Sequence, residues 1–212
     1  MESLIAQKKN WMQNKAVHVI LLFTLAGFVF SCSPKNISST YYYQNEKILD
    51  SIEEKYKKLS EKNPFTIGFS SSDFSIISLE IITDTLTYVY EFEINEPRLY
   101  DTLARYRLDA PQISRLIMQM HSIRCTWIKK QDYYVDEKKN SLIFMSVKPV
   151  ALKPPFSYQR YYVLTYFNQP QHFDSEGRLL DKRRLRRLRK INGDIFHRIN
   201  DKVCYTISGR FR

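Results

Sequence analysis

The stretch that decides the fold is LTYVYEFEI, residues 86–94, where apolar and polar residues alternate more regularly than anywhere else in the chain. Successive side chains of a β-strand point to opposite faces of a sheet. The apolar set is Leu86, Tyr88, Tyr90, Phe92 and Ile94, and the polar set includes Thr87, Glu91 and Glu93. A sheet with one wet face is typical of antiparallel pairing, so the stretch predicts an antiparallel sheet.

Further strands are predicted on both sides of this stretch, bounded by turn residues such as Asp, Asn, Ser and Gly. The expected strands cover residues 65–69, the part of 74–95 that precedes a turn at 83–85, and residues 123–135, 141–147, 158–167 and 202–208. The prolines of residues 148–156 predict a loop, and residues 174–177 predict a turn.

Four helices are expected around the sheet. The first covers residues 40–62, with apolar residues at helical spacing, acids early and lysines late, as the helix dipole prefers. A central pair begins at Pro97 and at Pro111, the latter behind the capping residue Asp109. The last covers residues 179–191.

These elements predict one α+β domain over residues 40–212. It has a mostly antiparallel sheet, an N-terminal helix, a central helix pair and a basic C-terminal helix. The composition agrees, because 43% of residues are hydrophobic and only five are glycine, which argues against disorder and repeat arrays.

The N-terminus has the pattern of an export signal. Lys8, Lys9 and Lys15 precede an uncharged run at residues 16–30. A helix of that length spans about 22 Å, less than the ~30 Å hydrocarbon core of a bilayer. The alternative to a cleaved export signal is an uncleaved single-pass anchor, in which Cys32, directly after this region, is an ordinary thiol.

The run ends in Val29, Phe30, Ser31 and Cys32, which resembles the lipobox of bacterial lipoproteins except that a smaller residue is usual at the position of Phe30. The resemblance implies a signal peptide at residues 1–31, acylation of Cys32 and a tether at residues 32–39. Two or more acyl chains hold a protein firmly on a bilayer. Ser33 after the cysteine, where an inner-membrane retention signal has Asp, implies the outer membrane. The next residues, Pro34, Lys35 and Asn36, lack the acidic cluster that resembles a surface-export tag, which implies the periplasmic leaflet.

Two cysteines remain in the mature chain, Cys125 and Cys204. Exported compartments are oxidising, so the pair is a candidate disulfide. Such a bridge would close a loop of about 80 residues and contribute about 4.5 kcal/mol in the chain-entropy model. The alternative is two separate buried thiols.

The strongest local charge signal is residues 178–190, which contain eight basic residues against the single acid Asp181. The basic residues are Arg178, Lys182, Arg183, Arg184, Arg186, Arg187, Arg189 and Lys190. They form a candidate contact with an anionic lipid surface, an envelope polymer or an acidic protein. The export signal argues against nucleic acid, and the alternative is a solvated helix face without a ligand.

Catalytic motifs, metal-ligand spacings and phosphate-binding loops are not found in the sequence, so no enzyme activity, cofactor or metal is expected. The sequence instead predicts a membrane-tethered protein that binds or scaffolds in the cell envelope. Two alternatives stay open. One is an envelope hydrolase or glycan-acting enzyme with a site built from scattered residues, and the other is a glycan-binding module with aligned exposed tyrosines.

Overall fold

The computed structural model describes residues 34–135, 138–147, 161–180 and 196–208. Within these ranges the chain forms three helices and eight strands, and Ser38–Arg212 is a compact unit separate from Met1–Ile37. The helices are α1 (Pro34–Lys62), α2 (Pro97–Arg105) and α3 (Ala110–Ser122). The strands are β1 (Phe65–Phe69), β2 (Ile76–Ile82), β3 (Thr87–Glu93), β4 (Cys125–Val135), β5 (Lys138–Val147), β6 (Tyr161–Phe167), β7 (His197–Arg198) and β8 (Val203–Ser208).

The strands form one sheet in the order β3-β2-β1-β4-β5-β6-β8-β7, and every neighbouring pair is antiparallel. The predicted α+β class and the antiparallel sheet are therefore confirmed. Strand β3, which contains most of the stretch with the clearest alternation, lies at one edge of the sheet, and the two-residue strand β7 lies at the other.

All three helices pack on one face of the sheet, which we call the helical face. Its apolar side chains, such as Phe65, Leu79 and Leu164, are almost completely buried. Tyr56 of α1 bonds across the interface, because its hydroxyl donates to the carbonyl of Phe65 and accepts from the backbone N–H of Lys130 at 3.0 Å. Burial raises the pKa of this phenol.

The opposite face carries smaller and more polar side chains. Gly68 is required there, because a Cβ would lie 2.7 Å from the carbonyl oxygen of Thr126. Four hydroxyls on this face, those of Thr66, Ser78, Ser146 and Thr165, are buried and find no hydrogen-bond partner among the described residues. Each such group costs about 1–3 kcal/mol. Beside them the rings of Trp127 and Phe144 stack at 6.4 Å.

The central helix pair forms as the sequence predicts. Pro97 and Pro111 lie in the first turns of α2 and α3, and the Asp109 carboxylate accepts a hydrogen bond from the N–H of Gln112 at 3.0 Å. Leu99 of α2 is buried. None of the helices in the described part of the chain is both long and apolar enough to cross a membrane.

The predicted starts of two helices are wrong. Helix α1 begins at Pro34, six residues before the expected start, so most of the predicted tether at residues 32–39 is helical. Proline is favoured at the start of a helix because it has no N–H to satisfy. The expected C-terminal helix does not begin at Leu179, because Leu179 lies in an isolated β-bridge with Phe173. The rest of that predicted helix lies outside the described residues, as do the predicted loop at 148–156 and the predicted signal at 1–31.

Candidate functional site

The basic segment, residues 178–190, begins at the β7 edge of the sheet. Residues 181–195 lie outside the described part of the chain, whereas the residues on either side of that gap, 178–180 and 196–198, are described. Arg178 and His197 form an antiparallel bridge, and the N–H of Arg198 donates to the carbonyl of Gly177 at 2.9 Å. Bridge partners lie about 5 Å apart, so the residues before and after the gap at 181–195 lie at the same edge of the sheet.

A tight turn holds the entry to the segment. The Asp174 carboxylate accepts from the N–H of Glu176 at 2.9 Å, from the N–H of Arg178 at 2.7 Å and from the Arg178 Nε at 2.7 Å. Gly177 has a φ of 79°, which a side chain would disfavour. The donors, first of all the Arg178 backbone N–H, hold the pKa of Asp174 below its ordinary value. The predicted turn at residues 174–177 is therefore confirmed.

Apolar contacts attach the same region to the opposite face of the sheet. Leu179 is 2% exposed and packs in a buried cluster with Phe167 and Cys204. Phe173 and Phe196, one from each side of the basic segment, pack against this cluster. The residues on either side of the gap at 181–195 are therefore held by packing as well as by hydrogen bonds.

Helix α1 begins its packing beside the same edge. The hydroxyl of Tyr42 accepts from Asn200 Nδ2 at 3.1 Å, and the hydroxyl of Tyr43 donates to the carbonyl of Ile199 at 3.3 Å. Residues 199 and 200 lie in the turn between β7 and β8. The ring of Tyr42 also lies 6.4 Å from that of Tyr166, and burial raises the pKa of Tyr42 to about 12. Tyr42 and Tyr43, in the first half of α1, therefore contact the turn beside the edge from which the basic segment starts.

The described body of the domain carries no net charge. Residues 38–135, 138–147, 161–180 and 196–208 contain 17 lysines and arginines and 17 aspartates and glutamates. The basic surplus of residues 32–212 therefore belongs almost entirely to residues outside the described ranges, and the basic segment is its densest part. Arg178 is the one predicted anion-contact residue that is described, and it pairs with Asp174 and, at 3.2 Å, with Glu176. The others, Lys182, Arg183, Arg184, Arg186, Arg187, Arg189 and Lys190, lie outside the described residues, as does Cys32.

The candidate disulfide is not formed. Cys125 lies on β4 and Cys204 on β8, with β5 and β6 between them, so they are about 14 Å apart across three strand spacings. A disulfide requires Cα atoms within about 7 Å. Both side chains are buried, and burial raises the pKa of the Cys125 thiol to about 12. The alternative of two separate buried cysteines is the observed arrangement.

The described histidines are exposed or packed on aromatic rings. His121 is exposed and its ring packs 6.0 Å from Phe69, His172 is exposed, and His197 packs on Tyr205. No group of three or more His, Cys, Asp and Glu residues that could hold a metal ion occurs in the described ranges. A shallow depression of about 470 Å³ at the β3 edge contains acids but no histidine, and it is lined by Ile76, Glu91, Phe92, Glu93, Glu96 and Arg98.

Comparison with known proteins adds no assignment. No family model, curated protein or solved structure matches this chain significantly. Sequence reasoning anticipated the basic segment, but it missed strand β7 and the contacts of Tyr42 and Tyr43 that place α1 beside it. Strand β7 has only two residues, too few to show a periodic pattern. The contacts of Tyr42 and Tyr43 are with a turn far away in sequence, which no local pattern indicates.

Proposed function

We propose that the protein is a lipid-anchored cell-envelope protein that binds or scaffolds at the periplasmic face of the outer membrane. Acyl chains on Cys32 hold it on the bilayer, and the basic segment at residues 178–190 contacts an anionic surface. One observation carries the proposal: Tyr42 and Tyr43 of α1 contact the turn next to β7, and Arg178, the first residue of the basic segment, bridges His197 of β7.

The distances and energies agree with this arrangement. Cys32 precedes Tyr42 by ten residues, and because residues 34–42 are helical this stretch spans only about 20 Å. Polybasic segments gain about 1 kcal/mol per charge at an anionic surface, but only within a Debye length of about 8 Å. Residues 181–195 start beside α1 and are long enough to reach a surface at the anchor, whereas a segment that started at the far edge of the sheet would first have to span about 34 Å.

Anionic lipid headgroups are the partner we favour, because the anchor already places the domain beside them. An envelope polymer or an acidic protein would present similar charge, and export disfavours nucleic acid. The neutral body offers no competing net attraction, so the basic segment decides which side of the domain faces the anion. The proposal involves no catalytic step, cofactor or metal.

Vesicle binding tests the contact. The mature chain with Cys32→Ser removes the anchor, and replacement of Arg183, Arg184, Arg186 and Arg187 by Gln removes four charges. At about 1 kcal/mol per charge, we expect binding to phosphatidylglycerol vesicles at low salt to weaken by about a hundredfold or more. The matched control replaces four exposed lysines of the neutral body, Lys58, Lys62, Lys138 and Lys139, and should change binding by less than about threefold. Equal losses in both variants, or none in the first, would contradict the proposal.

A glycan-binding module is the second candidate, and the stacked pair of Trp127 and Phe144 on the opposite face favours it. Both rings are partly exposed and nearly parallel, at 20°, and such aromatic surfaces stack on sugar rings. Sedimentation with purified peptidoglycan tests this function. Trp127→Ala should abolish co-sedimentation if the pair binds glycan, whereas Tyr134→Ala, at an exposed tyrosine, should not.

A further inference from the structure

Strand β3 has only one neighbour, so its outer edge is available for another strand. The N–H of Thr83 donates to the carbonyl of Leu86, and the N–H of Ile94 donates to the carbonyl of Ser75, each at 2.9 Å. In an antiparallel ladder, alternate residues point their backbone groups to the same side. Even-numbered residues of β3 therefore bond to β2, and odd-numbered residues point their N–H and C=O groups outward.

The outward edge is closed at one end only. The N–H of Glu93 donates to the Glu96 carboxylate at 3.0 Å, and the carbonyl of Glu93 accepts from the N–H of Glu96 at 3.0 Å. Thr87, Val89 and Glu91 keep six outward backbone groups, for which the described residues supply no partner. Three successive pairing positions match the length of a short added strand.

The protection of this edge is limited to acidic side chains. Natural edge strands are shielded by charged side chains, most often lysine, by proline or by bulges. Residues 83–96 contain no lysine, arginine or proline, and the register with β2 is regular. Leu86 is 58% exposed and Val89 is 59% exposed, so apolar surface stands beside the open backbone groups.

Each side of the edge offers a different surface. On the helical face Tyr88 and Tyr90 form an aromatic shelf with Tyr106, whose hydroxyl lies 2.7 Å from that of Tyr90. On the opposite face the carboxylates of Glu91 and Glu93 are neighbours at i,i+2, and neither forms an ion pair with a described residue. Arg98, the cation beside them in the depression, already pairs with Glu96.

We propose that β3 docks an extended segment of a partner protein that carries Lys or Arg at two alternate positions. The segment adds a ninth strand through the backbone groups of Thr87, Val89 and Glu91, which is strand addition at a sheet edge. Its two cations face Glu91 and Glu93, and its intervening apolar side chains lie on the aromatic shelf. A second copy of this chain leaves both carboxylates uncompensated, since its own β3 has no cation.

A designed probe tests the docking. The synthetic heptapeptide Lys-Val-Lys-Tyr-Val-Tyr-Thr places, in antiparallel register, its lysines opposite the two glutamates and its second valine opposite Val89. The control peptide has Glu in place of both lysines. Titration of the mature chain, followed by NMR shifts and calorimetry, should show the lysine peptide binding at least about tenfold more tightly, because each opposite-charge pair contributes up to ~1 kcal/mol.

Two variants separate backbone pairing from charge. Val89→Pro removes one outward N–H that has no partner within the described fold, so the domain should stay folded while affinity falls at least about tenfold. Val89→Thr is the matched control and should bind like wild type. Glu91→Lys combined with Glu93→Lys should reverse the preference between the two peptides, a result that unfolding cannot produce.

Three results would overturn the proposal. These are equal binding of both peptides, wild-type affinity of Val89→Pro, and no binding of the lysine peptide up to about 1 mM, the weak end of specific recognition. A concentration-dependent dimer that Val89→Pro abolishes would assign the edge to a second copy and would also overturn it. The basic segment takes no part in this test, so its outcome is independent of membrane contact.

Discussion

The two edges of the sheet differ in how far other described residues cover them. At the β7 edge a short strand is covered by the bridge between Arg178 and His197, by the buried Leu179 and by the first part of α1. At the β3 edge a seven-residue strand keeps three residues with open backbone groups. Within the described residues, contacts therefore hold the place where the basic segment starts, whereas the outward backbone groups of β3 have no partner.

The largest expected difference between the edges comes from one substitution made at each. Leu179→Ala removes a buried side chain and should lower the free energy of unfolding by about 2–4 kcal/mol through lost burial and a cavity. Leu86→Ala, at the exposed β3 edge, should change it by less than about 0.5 kcal/mol. Urea denaturation measures both values. Similar losses in the two variants would remove the distinction between a packed and an open edge.

A smaller difference is expected for two tyrosine hydroxyls. Tyr42→Phe removes the acceptor for Asn200 and should cost about 1 kcal/mol, the usual value for one hydrogen bond. Tyr88→Phe, on the aromatic shelf of β3, should cost about 0.3 kcal/mol or less, as is usual for exposed positions. Thermal and urea unfolding of both variants compare them. If Tyr88→Phe lowers the free energy of unfolding as much as Tyr42→Phe, the contact between α1 and the turn after β7 contributes no particular stability.

The turn at the β7 edge should add a pH dependence. The donors around Asp174 hold its folded pKa below the unfolded value, so its contribution to stability is present above the ordinary carboxyl pKa. That contribution is lost as the pH falls through the lowered folded pKa. NMR titration should find that the pKa of the Asp174 carboxyl lies below the ordinary value of an aspartate. Asp174→Asn should lose this part of the acid destabilisation, whereas Glu176→Gln in the same turn should keep most of it.

The smallest expected effect is the absence of a reaction. Both Cys125 and Cys204 are buried, and the Cys125 thiol has a pKa raised to about 12, so a maleimide should label neither in the native protein. Mass spectrometry should find both labelled after unfolding without reductant. An unfolded protein that is two hydrogens lighter and is not labelled would show that the disulfide forms.

Much of the fold could be predicted from the sequence because burial on one face imposes a readable period. The alternation at residues 86–94 predicts which side chains of β3 lie on the helical face, although Phe92 is the one residue of that strand that is buried. Asp109 with Pro111 marks the start of α3. Strand order has no such signature. The sequence could not reveal that β5 and β6 separate Cys125 from Cys204, and it therefore left the disulfide open.

The site was less predictable for the same reason. The density of cations at residues 178–190 is a property of the sequence, but the bridge that joins the residues on either side of the gap at 181–195 depends on distant pairing. Leu179 and Leu180 fit the apolar spacing of a helix, yet both lie in β-bridges. Two residues are too few to distinguish the helical period of 3.6 from the strand period of 2. The open edge of β3 follows from its terminal position in the sheet, which no local pattern encodes.

Distance from the membrane surface at each edge tests the account most directly. Asp201 beside β7 and Asp84 beside β3 are both exposed, and the described native thiols are buried, so Asp201→Cys and Asp84→Cys allow selective labelling. The edges are about 34 Å apart along the sheet, seven strand spacings. In the lipidated protein on anionic vesicles, energy transfer to a headgroup acceptor should be clearly stronger from residue 201 than from residue 84. Equal transfer from both positions, or stronger transfer from residue 84, would contradict the account.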